Sequence, residues 1–363
     1  MIRHVSFRNF KSLHHVGIAL EPLTFIVGQN GSGKTSILEG IEFVSKLIPR
    51  IAVVDNASNF SLNELYSLGG EGPMEITVDQ DVGKLRLVLS NDGSVSSWDR
   101  VGGTSWGYKL SPGTNAAEYN ECLKGISSVS YVQLSAKALS QPSYSDQVVP
   151  ELEVDGTELP SVLQYMALTN RIQFEEVQKQ LRLIVPTFES IGFVRSPIET
   201  SKKEMVSFGA DQVERTLKNT VMGESLTLSF HGAKNVPATR ASEGTILALG
   251  VLTMLQSPVR SRTLLLDDVE HGLHPMAQVA LVEVIRTIMN QNPDMQIVAS
   301  SHSPYILDSL KPEEVRITTI GSDGHTNIGS LTEHQDFHRR TNEMTPGELW
   351  SVFGEKWILD RAK

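Results

Sequence analysis

The residues best suited to chemistry are the eight of Gly28–Thr35, which read G-Q-N-G-S-G-K-T and fit G-x-x-x-x-G-K-[ST] at every fixed position. An apolar run at Leu23–Val27 predicts a buried strand before them, and the apolar spacing of Ser36–Ile48 predicts a helix after them. A loop in that place aims backbone N–H groups at a phosphate, its lysine reaches the β- and γ-phosphates, and its threonine hydroxyl can ligate Mg²⁺. The pattern therefore predicts a nucleotide site. The expected contacts are Gly28, Gln29, Asn30, Gly31, Ser32, Gly33, Lys34, Thr35 and Ser36.

A second candidate group is the pair of acids that ends Thr263–Asp268, which reads T-L-L-L-D-D. Four apolar or β-branched residues followed by acid are typical of a buried parallel strand that delivers a ligand to a metal. In phosphate-loop proteins, an acid at the end of such a strand holds Mg²⁺ directly or through water, and we assign this role to Asp267. Asp268 is then placed to position or deprotonate the attacking water. The alternative is that both acids only begin a surface turn.

Two shorter signals lie before and after the acidic strand. Ser242–Thr245 opens a strongly apolar helical pattern, and a serine cap at a helix N-terminus forms a further anion site, to which we assign Ser242 and Gly244. His302 follows the strand pattern of Gln296–Ser300, and its place downstream of the acidic strand favours a γ-phosphate sensor. The alternative for a single histidine after a strand is a structural hydrogen-bonding role.

The surrounding patterns predict an α/β protein. Strand patterns at 2–10 and 16–20, with the segment 69–107, indicate an antiparallel β-lobe, and residues 160–184 alternate as one or two amphipathic helices. No heptad run of coiled-coil length occurs, so a long arm is not expected. Strands are predicted at Met74–Val78, Leu85–Leu89, Val95–Trp98, Val129–Leu134, Ile191–Val194 and Leu226–Phe230. The buried helical stripe is predicted at Leu163, Met166, Leu168, Ile172, Phe174, Val177, Leu181 and Ile184.

Composition is that of a globular protein. The chain has 363 residues, of which 40% are hydrophobic and 20% charged, with no apolar run long enough to cross a membrane and no signal-peptide pattern. The net charge of −10 argues against a broadly basic nucleic-acid surface but is compatible with a local basic patch. A single cysteine, Cys122, excludes an intramolecular disulfide and suits a reducing cytoplasm, where we expect the chain to reside.

In order and spacing, these motifs resemble those of ABC-type ATPases of the RecF/SMC/OLD group, in particular the single-chain AAA-family ATPases common in prokaryotic defence and toxin operons. The similarity covers most of the chain. The matching segments are Val5–Ser12 as the first strand and turn, Gly28–Thr35 as Walker A, Ala241–Thr245 as the signature motif in an S-E-G form, Leu264–Asp268 as Walker B, Gly272–Pro275 as the D-loop, Ser301–Pro304 as the switch histidine, and the tail Thr345–Trp350 with Trp357.

The resemblance implies a P-loop NTPase fold with a mixed core sheet, an antiparallel β-lobe and an inserted helical lobe. It also implies one ABC-type ATPase domain over the whole chain. The expected parts of that domain are a core at 1–60 and 190–320, β-lobe strands around 70–107, a helical insert around 135–190 and a C-terminal extension at 321–363.

The resemblance further implies a mechanism in which two protomers sandwich two ATP molecules. Ser242 and its helix N-terminus in one protomer touch the γ-phosphate held by Lys34 of the other, so ATP closes a homodimer, or a higher oligomer, and hydrolysis releases it. ATP and Mg²⁺ are the implied cofactors, and the metal would be held by Thr35, Asp267 and a Q-loop glutamine, here Gln133. The alternative for Gln133 is an ordinary surface position.

Two departures from the group bear on activity. The group usually ends its Walker B strand with Asp-Glu, whereas this chain has Asp267-Asp268, and the shorter second side chain predicts slow or partner-stimulated hydrolysis. Glu270 is the alternative base. The region after His302 shows no acidic cluster of the kind that OLD nucleases carry, and its histidines at 325, 334 and 338 are scattered, so we expect effector activity to come from a partner protein.

Three functions remain in view. The first is an ATPase switch that controls a partner effector in anti-phage defence. The second is a RecF-like clamp on DNA, which requires a basic stripe. The third, an ATPase subunit of a membrane transporter, is disfavoured by the opening strand, the S-E-G signature and the insert at 60–130. Candidates for the basic stripe are Arg3, Arg8, Lys11, Lys202, Lys203, Arg215 and Lys218. They are scattered among acids, and the alternative is that they belong to an ordinary solvated surface.

Overall fold

The structure is a computed structural model. It describes residues 1–53, 72–89, 95–100, 116–208, 211–257, 261–334, 337–340 and 343–361. No helix in these ranges is both long enough and apolar enough to span a membrane. The strands are β1 (Ile2–Phe10), β2 (Leu13–Ala19), β3 (Leu23–Gly28), β4 (Met74–Gln80), β5 (Gly83–Leu89), β6 (Val95–Arg100), β7 (Val129–Val132), β8 (Phe188–Phe208), β9 (Asp211–Phe230), β10 (Ala233–Pro237), β11 (Thr263–Leu266), β12 (Gln296–Ser301), β13 (Val315–Ile320) and β14 (Thr326–Ser330). The helices are α1 (Lys34–Val53), α2 (Ala116–Ser127), α3 (Ala136–Leu139), α4 (Leu159–Thr169), α5 (Arg171–Ile184), α6 (Glu243–Leu255), α7 (Pro275–Gln291), α8 (Pro304–Leu307), α9 (Phe337–Arg340), α10 (Pro346–Phe353) and α11 (Lys356–Arg361).

The chain divides into two compact units. The first unit contains both large sheets, and the second contains α3 to α6 with β8 to β10. The expected organisation as one domain stays a prediction. The first unit comprises Met1–Val132, Ser261–Glu270 and Ile285–Lys363, and the second comprises Gln133–Arg260 and His271–Val284.

The first unit is built on a six-stranded sheet of order β14-β13-β3-β12-β11-β7, in which β14 runs antiparallel to β13 and all other neighbours are parallel. Every residue of β3, β12 and β11 is buried, as expected of parallel strands covered on both faces. Because these three strands are adjacent and parallel, their carboxyl ends lie at one edge of the sheet. The phosphate loop, His302 and Asp267 follow those ends. The predicted mixed α/β core is confirmed.

The second sheet of the first unit is antiparallel, with the order β2-β1-β4-β5-β6, and confirms the predicted β-lobe. Residues 69–71, 90–94 and 101–107 of that prediction lie outside the described residues. The apolar face of α1, including Ile37 and Ile41, is buried in one core with Phe7 and Phe10 of β1. This shared core fixes α1, and with it the phosphate loop, against the lobe.

The helices of the second unit correct part of the predicted stripe. Residues 160–184 form α4 and α5, and Asn170 between them caps α5 by accepting a hydrogen bond from the Gln173 backbone N–H. Leu168 and Ile172 were predicted buried but are 78% and 84% exposed. Both lie within two residues of Asn170, where α4 ends and α5 begins. A single apolar repeat drawn across both helices therefore assigns these two side chains to the wrong face.

A long β-hairpin in the second unit contradicts the expected absence of an arm. The predicted strands Ile191–Val194 and Leu226–Phe230 are short pieces of β8 and β9, which pair from Phe188↔Phe230 to Phe208↔Asp211. At 3.3 Å per residue, a ribbon of this length extends about 65 Å. A heptad search cannot find it, because backbone pairing between two strands does not require an apolar repeat. Residues 190–208 and 211–230 thus belong to this hairpin and not to the six-stranded sheet.

Two further regions of the first unit are regular. The helix α2 carries Cys122, which is fully buried. The C-terminal extension contains β14, α9, α10 and α11. His334, one of the three histidines that are scattered in the sequence after His302, stacks on Phe353 with ring centroids 3.9 Å apart.

Candidate nucleotide-binding site

The phosphate loop has the geometry that its sequence predicts. It leaves β3 at Gly28 and enters α1 at Lys34, with φ of 155° at Gly28, 76° at Gly31 and 96° at Gly33. A Cβ on Gly28 would lie 2.3 Å from the Thr318 carbonyl oxygen, and a Cβ on Gly33 would lie 2.1 Å from Thr326 Oγ1. Glycine is therefore required at both positions by backbone conformation and by space.

Lys34 is held inside this loop and is only 5% exposed. Its Nζ donates to the carbonyl oxygens of Gly28 at 3.1 Å and Gln29 at 3.0 Å, and it lies 3.5 Å from His302 Nδ1. Burial lowers the pKa of Lys34, against the opposing effect of the Asp268 and Asp267 carboxylates. A buried ammonium with carbonyl partners is a strong site for an anion, since a phosphate would supply the opposite charge.

A cleft of about 470 Å³ opens over the loop, which is within the range of small-molecule sites. The cleft gathers the phosphate loop, Asp268 and His302, which were predicted to act together. Ser12, known from the sequence only as part of the opening strand motif, also lines it. The lining residues are Ser12, Asn30, Gly31, Gly33, Lys34, Thr35, Ser36, Asp268 and His302.

Asp267 lies beneath the loop and accepts three hydroxyl hydrogen bonds. The donors are Thr35 Oγ1 at 2.9 Å, Tyr131 Oη at 3.2 Å and Ser300 Oγ at 2.5 Å. Asp267 is 8% exposed, so its charge is buried but well partnered. A threonine hydroxyl and a carboxylate are hard oxygen ligands of the kind that Mg²⁺ prefers, so the residues present fit the predicted ion.

Tyr131 and Ser300 were not identified from the sequence. Burial raises the pKa of Tyr131, and the neighbouring Asp267 raises it further, so the phenol stays protonated and donates. Tyr131 pairs with Leu265 across the parallel strands β7 and β11, an arrangement that only strand pairing reveals. Ser300 lies on β12, two residues before His302, in a stretch that was assigned only as strand.

A Tyr131→Phe variant is expected to need about tenfold more Mg²⁺ for half-maximal ATP binding, because removing a hydrogen bond to a metal ligand typically costs that much in metal affinity. Calorimetric titration of ATP at stepped Mg²⁺ concentrations measures it. Tyr144→Phe is the matched control, since Tyr144 is exposed and belongs to the second unit. An unchanged Mg²⁺ requirement in Tyr131→Phe would remove Tyr131 from the site.

The two candidate bases lie in different environments. Asp268 has a left-handed φ of 47°, its side chain is 52% exposed, and its Oδ1 is 3.6 Å from His302 Nε2. Glu270 instead turns towards the backbone, where its Oε1 accepts the His302 N–H at 2.5 Å, while its Oε2 is buried without a hydrogen-bond partner among the described residues. Asp268 lines the cleft, whereas Glu270 holds the loop that carries the histidine.

The predicted signature residues belong to the second unit. Ser242 is exposed and caps α6 by accepting from the Thr245 N–H at 3.3 Å. Gly244 packs directly on the predicted D-loop, because a Cβ on it would lie 2.3 Å from the Gly272 carbonyl oxygen. Gln133 also lies in this unit; it is exposed and follows the end of β7, and its N–H donates to the Val154 carbonyl oxygen at 2.9 Å. Its assignment to a metal stays a prediction.

Two family models and two curated relatives match this chain in sequence. A family model described as "AAA domain, putative AbiEii toxin, Type IV TA system" matches residues 145–308, and one described as "AAA ATPase domain" matches residues 1–80. The OLD nuclease of Thermus scotoductus is 23% identical over 92% of this chain and 65% of its own length. The DNA replication and repair protein RecF of Chlorobium phaeovibrioides is 32% identical over 25% of this chain and 27% of its own.

The fold comparison agrees. An Smc head domain derived from Pyrococcus furiosus, solved with the C-terminal domain of ScpA, superposes with a TM-score of 0.54 at 12% identity, over 94% of this chain and 99% of that one. The resemblance to RecF/SMC/OLD-type ABC ATPases is confirmed. The matched regions of this chain contain the phosphate loop, Ser242, both predicted Walker B acids and His302. The chain spans about two thirds of the OLD nuclease's length and about a quarter of RecF's.

Proposed function

We propose that the chain binds and hydrolyses ATP and acts as a nucleotide-driven dimerisation switch. The observation that carries this proposal is the convergence of Lys34, the Thr35–Asp267 pair, Asp268 and His302 on one cleft of the first unit. Lys34 binds the β- and γ-phosphates, and Thr35 with Asp267 would hold Mg²⁺. The ion, when bound, neutralises charge on the phosphates.

The chain's own groups account for the remaining steps. Asp268 is the general base, because it is the acid that lines the cleft and its oxygen lies next to the imidazole of His302. His302 senses the γ-phosphate, since its Nδ1 adjoins Lys34 Nζ. The side chain of Asp268 is one methylene shorter than the glutamate that the group usually has at this position, so its carboxylate lies farther from the attacking water. We therefore expect slow turnover, which a partner accelerates by compressing the site.

Dimerisation is supported by the signature helix. Ser242 is an exposed cap at the N-terminus of an otherwise buried helix, where backbone N–H groups and the helix dipole favour an anion. In the proposed sandwich, this end meets the γ-phosphate bound by Lys34 of a second copy. ATP then favours the closed dimer by contacts that ADP lacks, which is the differential affinity that a population shift requires.

The proposed setting is the control of a partner effector in prokaryotic anti-phage defence, in the cytoplasm. The match to the AbiEii-type family model and the likeness to an OLD nuclease support it. The chain spans 65% of the OLD nuclease's length, so the activity in that relative's name is not transferred to this chain. The effector chemistry is proposed to come from a partner protein.

A second function, an ATP-dependent DNA clamp, is favoured by the β-hairpin. Four of the seven predicted basic candidates lie on its outer half, with Lys202 paired to Leu217 and Lys203 to Thr216, and with Arg215 and Lys218 on the facing strand. Two other candidates are neutralised by ion pairs, Arg3 with Asp81 and Lys11 with Glu39. The likeness to RecF, a DNA replication and repair protein, supports the same function.

One experiment separates these functions. The mass of the chain, measured by light scattering, is expected to double with ATP and Mg²⁺ in an Asp268→Asn variant that binds without hydrolysing, and to remain that of one chain with ADP. DNA affinity is measured in parallel at about 50 and about 200 mM salt, a range over which phosphate contacts lose much of their strength. A clamp gains ATP-dependent affinity that falls steeply with salt, whereas a switch without DNA contact does not. A mass that ATP leaves unchanged would contradict the sandwich.

A further inference from the structure

We infer that the C-terminal segment forms part of the phosphate site, with Glu355 as a positioning residue for the phosphate loop. Glu355 Oε2 accepts a hydrogen bond from Gln29 Nε2 at 3.2 Å, across 326 positions of sequence. Glu355 is 6% exposed although it is charged and close to the chain's end. Burying a carboxylate is costly unless a partner holds it, so its placement beside the loop needs a reason.

The segment is fixed on both sides of Glu355. Upstream, the N–H of Gly347 at the start of α10 donates to Asp308 Oδ1 at 2.8 Å. A Cβ on Gly347 would lie 2.3 Å from the Pro304 carbonyl oxygen, so α10 packs directly on α8, the helix that follows His302. Downstream, α11 packs on β14, where a Cβ on Gly329 would lie 3.0 Å from the Trp357 ring. Glu355 is therefore held in place by packing on two elements of the first unit.

From this position, Glu355 acts on Lys34 through Gln29. The side chain of Gln29 is bound to Glu355, while its carbonyl oxygen accepts from Lys34 Nζ at 3.0 Å. The Glu355 carboxylate is also among the acids that act to raise the pKa of Lys34 against the effect of burial. The chain of contacts Glu355–Gln29–Lys34 therefore fixes the first turn of the loop, whose geometry determines where a phosphate is held.

Two measurements test the inference, and only the second of them rests on the proposed nucleotide binding. The first uses protein without nucleotide: hydrogen exchange of peptides covering 24–36 is expected to rise in Glu355→Ala. The second is ATP affinity by calorimetry with Mg²⁺. Glu355→Ala and Gln29→Ala are each expected to weaken ATP binding about tenfold, the lower end of the scale for one hydrogen bond to a charged group. The double variant should be no weaker than either single variant, because the two residues act as one unit.

Two further variants keep the test sharp. Glu355→Gln retains an acceptor for Gln29 and should bind ATP within about twofold of the wild type, since the hydrogen bond is kept. Glu343→Gln, at an exposed acid upstream on the same segment, is the matched control. Additive losses in the double variant, or unchanged loop exchange in a folded Glu355→Ala, would overturn the inference. Raised loop exchange in a protein that does not bind ATP would support the positioning role while refuting the proposed function.

Discussion

The Lys34→Ala variant is expected to bind ATP about a hundredfold more weakly, or not measurably, while keeping its fold. Lys34 is the buried cation of the cleft, and a hydrogen bond between charged groups contributes up to about 3 kcal/mol, which corresponds to about a hundredfold in affinity. Its removal leaves the Gly28 and Gln29 carbonyl oxygens without the ammonium that they now share, so the loop would present acceptors to an anion. Titration with a fluorescent ATP analogue measures the loss, and circular dichroism checks the fold.

The control for this variant is Lys46→Ala, on the same helix. Lys46 is 60% exposed and pairs with Glu42 one turn away, so its removal alters the helix surface and leaves the cleft intact. ATP affinity in that variant should stay within about twofold of the wild type, because an exposed pair contributes little. Binding by Lys34→Ala that is nearly as tight as that of the wild type would mean that the cleft over Gly28–Thr35 is not the nucleotide site.

The Asp268→Asn variant is expected to lose ATP turnover by about 10²- to 10³-fold while binding ATP as tightly as the wild type. General-base catalysis contributes on this scale, and an amide cannot accept the proton. Asp268 is half-exposed and lines the cleft next to His302, so the substitution removes the charge with little change of shape. Asp268→Glu tests the reach argument, because the longer side chain should raise turnover above that of the wild type. Steady-state phosphate release measures both variants.

Glu270→Gln distinguishes the two candidate bases. The amide oxygen that this substitution introduces can still accept the His302 N–H, as the Glu270 carboxylate does at 2.5 Å, so the histidine loop should stay in place and the loss should be smaller than in Asp268→Asn. Asp294→Asn, on an exposed turn of the first unit, is the control for acid-to-amide exchange. If Glu270→Gln loses more turnover than Asp268→Asn, the base is Glu270 and Asp268 only orients His302.

The sequence motifs were informative wherever chemistry depends on a contiguous stretch. Gly28–Thr35 and the run up to Asp267 could be assigned because one strand and the loop after it fix each of them. Parallel strands then bring such loops to one edge of a sheet, which is why the predicted Lys34, Asp268 and His302 line one cleft. The same argument could not assign Gln133, whose role depends on contacts that its own stretch does not define.

Predictions from local patterns were wrong or incomplete at the break between two helices and in the long β-hairpin. Leu168 and Ile172 continue an apolar period that ends at Asn170, so the pattern assigns both to the core, and both are exposed. The hairpin of β8 and β9 is predicted only as two short strands, because its outer halves lack the apolar alternation on which strand prediction depends. The deciding interaction is the helix cap in the first case and the backbone hydrogen bonding between two strands in the second. Neither interaction requires a repeat of apolar residues in the sequence.

The order and spacing of short motifs were enough to predict the type of fold, the phosphate loop and the resemblance to ABC-type ATPases. Each of these follows from short-range constraints, such as glycine at positive φ or an acid that ends a buried strand. The side chains that support the site could be identified only from the folded protein. Tyr131 and Ser300 bind Asp267, and Glu355 binds Gln29, over separations of 136, 33 and 326 residues. Packing of elements far apart in the chain creates those contacts, and no local pattern records them.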